Sequence, residues 1–313
     1  MNARAKENER LESLIEDIVQ SCKFRAPSLI VTVLGDSLAP HGGTFWMGSL
    51  IELMAPLGLG ERLVRTATFR LTKEGWLSAR QVGRKSYYSL TKSSVKSFRE
   101  AFRRVYTTTD QPWDGEWCLV FLNNSEISAE LREQIKEDLF WHGFGTVSAN
   151  VFAHPSMDIA TVRDILKGHQ VHEKAMLMRG RIDGLNDESA TISFIRKCWD
   201  VDKLAADYTL FLDRFRPLWR LLHEKTPPDP RLCFIIRTTI IHEYRRLTLR
   251  DPHLPAELLS PDWAGGNAHL LCRNLYRLVY AGAEKYLLDH TETADGPLPA
   301  AGPEYYSRFG GLN

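Results

Sequence analysis

Between Gly60 and Tyr106 the chain carries twelve Lys and Arg against three Asp and Glu, in a protein whose 313 residues balance to a net charge of +1. This run constrains the fold more than any other feature. Its charges must lie on a solvated surface, while its apolar residues recur at the spacing of regular elements. Glu61 to Glu74 reads as a helix stopped by Gly75. Trp76–Gln81 and Ser86–Leu90 then flank Val82-Gly83-Arg84-Lys85, which is the pattern of two short strands around a glycine-containing loop. Thr91 opens a charged amphipathic helix ending near Tyr106. The remainder of the chain is left net acidic. A basic segment on an acidic chain is the electrostatic footprint of nucleic-acid binding, and a solvated basic face without a partner is the competing explanation.

Upstream, Pro27 opens an apolar run, Ser28–Leu38, that Pro40-His41-Gly42-Gly43 ends. Gly35 and Asp36 are expected to be turn-formers at the end of that helix. Thr44 is placed to cap a second helix carrying Phe45, Trp46, Leu50, Leu53 and Met54. Residues 27–109 thus read as helix, helix, helix, hairpin, helix, the order of a winged helix-turn-helix. On a wheel of 100° per residue, Leu63, Val64, Ala67 and Leu71 of the third helix are expected to face inward. Arg62, Arg65, Thr66, Phe69 and Lys73 share the opposite face. Arginine can bond bidentately to guanine, and Phe or a Thr methyl can pack on a thymine methyl, so this face suits a major groove. Arg70, at the flank, suits a phosphate. The loop tip offers Arg84 and Lys85 to the backbone. Tyr87 and Tyr88 alternate in face, so one packs on the helices and the other reaches sugar or phosphate, the role assigned to Tyr87.

Residues 110–184 change character. Trp117–Leu122 is a continuous apolar run suited to a buried strand. Ser125 is expected to cap a helix reaching Trp141, Gly143-Phe144-Gly145 turns into a strand from Thr146 to Phe152, and Pro155 breaks it. A short helix, Asp158–Lys167, and a third strand, Lys174–Ile182, complete a small unit of ferredoxin-like pattern. From 188 to 290 the apolar spacing is helical, with Pro-rich joints at 226–230 and 251–261. The fold class is therefore α+β and multidomain: an N-terminal winged helix-turn-helix, a middle ferredoxin-like domain and a C-terminal all-α domain. Five widely spaced cysteines without a CxxC pair read as free thiols. The charge-rich N-terminus and the lack of a run of ~20 apolar residues point to a cytoplasmic protein without membrane partners.

Several stretches together resemble the PaaX family, the phenylacetic-acid degradation repressors. They are Leu34-Gly35-Asp36-Ser37-Leu38, Gly60-Glu61-Arg62-Leu63-Val64-Arg65-Thr66-Ala67, Gly83–Leu90, Trp141-His142-Gly143-Phe144-Gly145, Phe215-Arg216-Pro217-Leu218, Ile241-His242-Glu243-Tyr244-Arg245-Arg246, Asp251-Pro252-His253 and Arg308-Phe309-Gly310-Gly311-Leu312. The resemblance covers nearly the whole chain. It implies a repressor of an aromatic catabolic operon, relieved by phenylacetyl-CoA, with a middle domain resembling a CRISPR-associated endoribonuclease. The expected organisation is a DNA-binding domain over 1–109, a dimerisation domain over 110–184 and an effector-binding domain over 185–313. The expected partners are operator DNA, a second copy of the chain and an acyl-CoA effector, with no cofactor and no metal.

Three motifs suggest enzymes instead. Gly35-Asp36-Ser37-Leu38 spells a serine-esterase signature, but no Asp-x-x-His follows in the C-terminal third, so a base for the serine is missing. His242-Glu243 begins a zinc motif whose second ligand position holds Arg246. A metal-dependent nuclease would want a carboxylate at the end of the first middle strand, where Asn123-Asn124 stand. No catalytic residue is assigned. An enzyme of aromatic acyl-CoA metabolism or a nuclease is the alternative, and a protein-interaction scaffold a weaker one. An acyl-CoA needs cations for its phosphates and an aromatic-lined slot for its ring. His242, Arg245, Arg246 and Trp263 are the candidates for that pocket. Core packing and ion pairing are the competing roles for each.

Overall fold

The computed structural model describes residues 3–107, 112–123, 126–181, 188–223 and 228–312. By internal contacts the chain divides into two compact units, the first holding Met1–Thr108, Leu210–Arg246 and Asn267–Asn313, the second Thr109–Thr209 and Leu247–Gly266.

In the first unit, α1 (Ala3–Ser21) is followed by α2 (Ala26–Val33), with proline in its first turn, where a missing N–H costs nothing. The chain does not turn at Gly35 and Asp36 as expected. It continues as a π-helical turn, Leu34–Leu38, and a 3-10 turn, Ala39–His41. Gly35 is needed for packing: a Cβ there would lie 2.7 Å from the ring of Phe98. Thr44 does not cap a helix either. It starts β1 (Thr44–Trp46), and α3 (Met47–Met54) begins three residues later. After α4 (Glu61–Lys73) come β2 (Leu77–Val82), β3 (Lys85–Leu90) and α5 (Lys92–Tyr106). Thr91 caps α5 by accepting from the Ser94 amide. The three strands form an antiparallel sheet in the order β1-β3-β2. β1 is the strand the sequence did not announce. Thr44 reads as a cap, and Phe45 and Trp46 as part of the helix carrying Leu50, Leu53 and Met54, but all three residue types favour strands and pairing with β3 makes them extended.

The C-terminal helices of this unit follow the apolar periodicity. α9 (Val201–Leu222), α10 (Pro230–Thr248) and α11 (Ala264–His290) bury Phe215, Phe234, Ile240, Leu275 and Val279 completely. A two-stranded hairpin, β8 (Glu292–Thr293) with β9 (Gly296–Pro297), and a short helix, Pro303–Tyr306, end the chain.

A buried ion cluster holds the π-helical turn Leu34–Leu38, α5, α10, α11 and the tail together. The Asp36 carboxylate, 3% exposed, accepts from Tyr106 at 2.6 Å, Tyr276 at 3.0 Å and Arg308 at 3.0 Å, and faces Arg237 at 3.4 Å. Arg237 also donates to Ser37 at 2.9 Å, Tyr305 at 2.9 Å and Glu284 at 3.1 Å. Burial works against the charge on Arg308, but Tyr106, Tyr276, Asp36 and Tyr305 outweigh it and raise its pKa. Ser37 thus accepts from Arg237, and its own hydroxyl donates to the neighbouring Asp36 carboxylate at 3.4 Å, a group already held by two arginines and two tyrosines. The esterase-like motif is a structural element of the core.

In the second unit, β4 (Trp117–Leu122), α6 (Ala129–Trp141), β5 (Gly145–Ser148), β6 (Val151–His154), α7 (Ile159–Gly168) and β7 (Ala175–Gly180) alternate, and α8 (Glu188–Cys198) follows. The sheet is antiparallel in the order β5-β6-β4-β7. The strand read from Thr146 to Phe152 is a tight hairpin, since Ser148 pairs with Val151 and the chain reverses at Ala149-Asn150. No glycine or proline marks that turn. The α6 cap is Ser128, accepting from Leu131 at 3.2 Å, whereas Ser125 lies outside the described residues, as does the expected strand end at Ile182. One face of the sheet packs Val120 and Phe152 on Ile135, Leu139, Val162 and Leu166. The other packs Trp117 and Ala153 on Trp199, Leu254 and Leu258.

Candidate nucleic-acid interface

α4 starts after Gly58, whose φ of +82° closes the preceding 3-10 turn, and stops at Gly75, at +78°. The Trp76 amide then reaches back to the Leu71 carbonyl at 2.9 Å, a Schellman closure. Val64, Ala67, Thr68 and Leu71 are buried. This is the i, i+3, i+4, i+7 stripe, and Thr68 is tolerated in it because its hydroxyl donates to the Val64 carbonyl at 2.9 Å. Leu63, expected inward, lies one position off the stripe and is 50% exposed. Arg62, Arg65, Thr66, Phe69, Arg70 and Lys73 are all exposed.

These cations are lightly held. Arg65 pairs with Glu61 at 2.8 Å and Arg70 with Glu74 at 2.7 Å, both at the surface. Such exposed pairs are screened by solvent and contribute little, so a phosphate or a guanine edge can replace them. Lys73 lies 4.8 Å from the Phe69 ring. Arg62 has no ion-pair partner among the described residues.

The hairpin loop is Gly83-Arg84, between paired Val82 and Lys85. Gly83 sits at φ +59°, the first position of a two-residue loop that asks for glycine. Arg84 is exposed and unpaired among the described residues. Lys85 and Tyr87 are placed differently from Arg84. Lys85 Nζ contacts both Glu292 oxygens, at 2.7 and 2.8 Å, and lies 4.3 Å from the Trp46 ring. Tyr87, expected to face DNA, is 7% exposed and donates to Glu292 at 3.0 Å. Tyr88 stacks on Phe45 instead. Hydrogen bonding to Glu292 raises the Lys85 pKa, and the hydrogen bonds from Lys85 and Tyr87 lower that of Glu292. Glu292 lies 207 positions from Lys85 in sequence. Nothing in the sequence pairs them.

Family models match three successive parts of the chain: residues 25–94 match the PaaX-like protein, 110–192 the PaaX protein central Cas2-like domain, and 199–289 the PaaX-like protein C-terminal domain. The transcriptional repressor PaaX of Escherichia coli (strain K12) is 38% identical over 305 residues, covering 97% of this chain and 96% of that protein. The chain belongs to the PaaX family. A solved structure of an uncharacterized protein from Mycobacterium tuberculosis shares the fold of this PaaX-family chain, with a TM-score of 0.54 and 20% identity over 84% of it and 98% of the other.

The four residues assigned to a ligand pocket in this PaaX-family chain have diverse settings. His242 is buried under the edge of Phe24, its Nδ1 2.8 Å from the Thr32 hydroxyl. Burial first, then Arg245 and Arg246, push its pKa down to about 3, so it is neutral. Arg245 donates to the same hydroxyl at 2.8 Å and to the Ser28 carbonyl at 2.9 Å. Both side chains therefore fasten α10 to α2. Arg246 is exposed beside Glu243 at 3.2 Å. Trp263 belongs to the second unit, edge-on to Tyr208 at 5.9 Å. That unit has an open cleft of about 290 Å³ whose lining includes Phe140, Phe144, Trp199, Pro252, Lys203 and Arg250.

Proposed function

We propose that this chain is a DNA-binding transcriptional repressor, with α4 the recognition helix and β2–β3 the wing of a winged helix-turn-helix. The observation that carries this reading is the solvent face of α4. Arg62, Arg65, Thr66, Phe69 and Lys73 all point outward while the opposite stripe is buried, beside a hairpin whose tip presents Arg84. The name of the Escherichia coli relative, a transcriptional repressor, supports it.

In the middle unit the β-α-β-β-α-β order with strands arranged β5-β6-β4-β7 supports a ferredoxin-like domain. We assign it to dimerisation. Two recognition helices would then read half-sites one or more helical turns apart. Release by an aromatic acyl-CoA such as phenylacetyl-CoA is the regulation the family resemblance implies. His242 and Arg245 are committed to α2, whereas the cleft offers aromatic rings beside Lys203 and Arg250. At about 290 Å³ it is at the small end of ligand pockets and suits the arylacyl end of such a thioester. For release, the effector must bind the DNA-free form better than the DNA-bound form.

Gel-shift titration on the promoters neighbouring the gene, with and without phenylacetyl-CoA or free phenylacetate, tests this. A shift reversed by the thioester alone is expected, and no shift at low salt would refute the repressor reading.

A further inference from the structure

We propose that Glu292 limits the affinity of the DNA interface, because it holds the ammonium of Lys85 and withholds one sequence-independent phosphate contact from the wing. The inference rests on the DNA-binding reading above. One cation, Arg84, lies in the loop turn and a second, Lys85, directly follows it, yet their situations differ. Arg84 is exposed without an ion-pair partner among the described residues. Lys85 is seated three ways, by two carboxylate oxygens at 2.7 and 2.8 Å and by the Trp46 ring at 4.3 Å.

The seat itself is anchored. The Glu292 backbone N–H donates to Ser49 Oγ of α3 at 2.9 Å, and the Tyr87 hydroxyl donates to the same carboxylate at 3.0 Å. Glu292 stands two residues beyond the end of α11 and opens the β8–β9 hairpin, so the C-terminal segment delivers a negative charge to the loop end of the wing, beside the Val82–Lys85 pair. The Lys85 and Glu292 side chains are 42% and 41% exposed, open enough for a DNA phosphate to compete for the ammonium. Phosphate contacts hold any duplex equally well, whereas base-edge contacts choose among sequences. A carboxylate that occupies one phosphate-binding cation therefore lowers affinity for every sequence alike and leaves the choice among sequences to the contacts made by α4.

Glu292→Gln in the full-length chain tests this. Glutamine keeps an acceptor for Tyr87 and removes the charge. Affinity for a non-operator duplex at low salt is expected to rise by roughly threefold to tenfold, with a salt slope steeper by about 0.9, the value of one added phosphate contact. Operator affinity rises by the same factor, so the operator-to-non-operator ratio stays constant, and Glu292→Ala moves affinity and slope the same way. Adding Lys85→Met to Glu292→Gln cancels the gain. An unchanged slope, or weaker binding to both duplexes, overturns the proposal, the latter because Glu292 would then be holding the wing in its binding pose. Arg62→Ala and Arg84→Ala, measured alongside, separate the two ideas. If they weaken binding and Glu292→Gln changes nothing, this proposal alone fails. If they too leave binding unaltered, the DNA-binding reading fails with it.

Discussion

Asp36 shows how far one side chain can differ from its sequence context. Its neighbours Gly35, Ser37 and Leu38 suggest either a turn or an esterase signature, yet its carboxylate is buried among two arginines and two tyrosines. Removing one partner of such a buried pair leaves an uncompensated charge, which costs about 3–5 kcal/mol. Asp36→Asn and Arg308→Met should each lower the unfolding free energy from urea titration to that extent, and the double variant should lose less than the sum because the two groups touch. On the solvent face of α4, Arg65→Ala should leave the melting temperature unchanged and cost roughly 1–3 kcal/mol of operator affinity with relaxed base preference, measured by footprinting. Arg84→Ala should weaken operator and random duplexes alike and flatten the salt dependence by about one phosphate. The residues of α4 were readable from the sequence because a helix displays its own period. The occupied state of Lys85 was not, because its partner is 207 positions away.

Among the elements, the α2–α10 contact gives a stability signal that pH can read. His242 is neutral in the folded chain, its pKa lowered to about 3 by burial and by Arg245 and Arg246. In the unfolded chain it titrates near 6.5 and takes up a proton that the folded state refuses. Stability from this group is therefore complete above about pH 6.5 and is lost as pH falls toward 3, with a slope approaching ~1.4 kcal/mol per pH unit. Thermal melts from pH 7 to 5 should show this decline, and His242→Asn should flatten it; an unchanged slope would mean that another group titrates there. Glu284, whose burial is outweighed by His41 and Arg237 so that its pKa is lowered to about 2, adds a loss of the same sign at lower pH, between about 4.5 and 2. The stop of α4 at Gly75 and the cap of α5 at Thr91 were legible at this scale. β1 was not, because three residues of Thr-Phe-Trp become a strand only when β3 is there to pair with them.

At the scale of the molecule, the tail closes the first unit. Tyr305 and Arg308 both enter the Asp36–Arg237 cluster, and Phe309 packs edge-on against Tyr106 at 5.3 Å. Truncation after Ala300 removes these partners together. The expected result is a loss of several kcal/mol in urea unfolding, comparable to breaking a buried ion pair, with DNA binding lost through instability. The measurement is the urea midpoint of the truncated chain beside that of Arg308→Met. A truncated chain as stable as the full one would show that the tail contributes nothing to the cluster.

By itself the sequence determined what local physics encodes: the helical periods, the strand–loop–strand pattern around Gly83, the basic segment and the family resemblance. Each follows from neighbours within a few turns or residues, where spacing alone decides the exposed face. The tertiary structure decided which cations are available and which are spent. It buried His242 and Arg245 against α2, made Asp36 the centre of a charge cluster, and set Glu292 on Lys85. Those outcomes depend on pairings between distant segments, and the charge on a side chain says nothing about the partner that folding will bring to it.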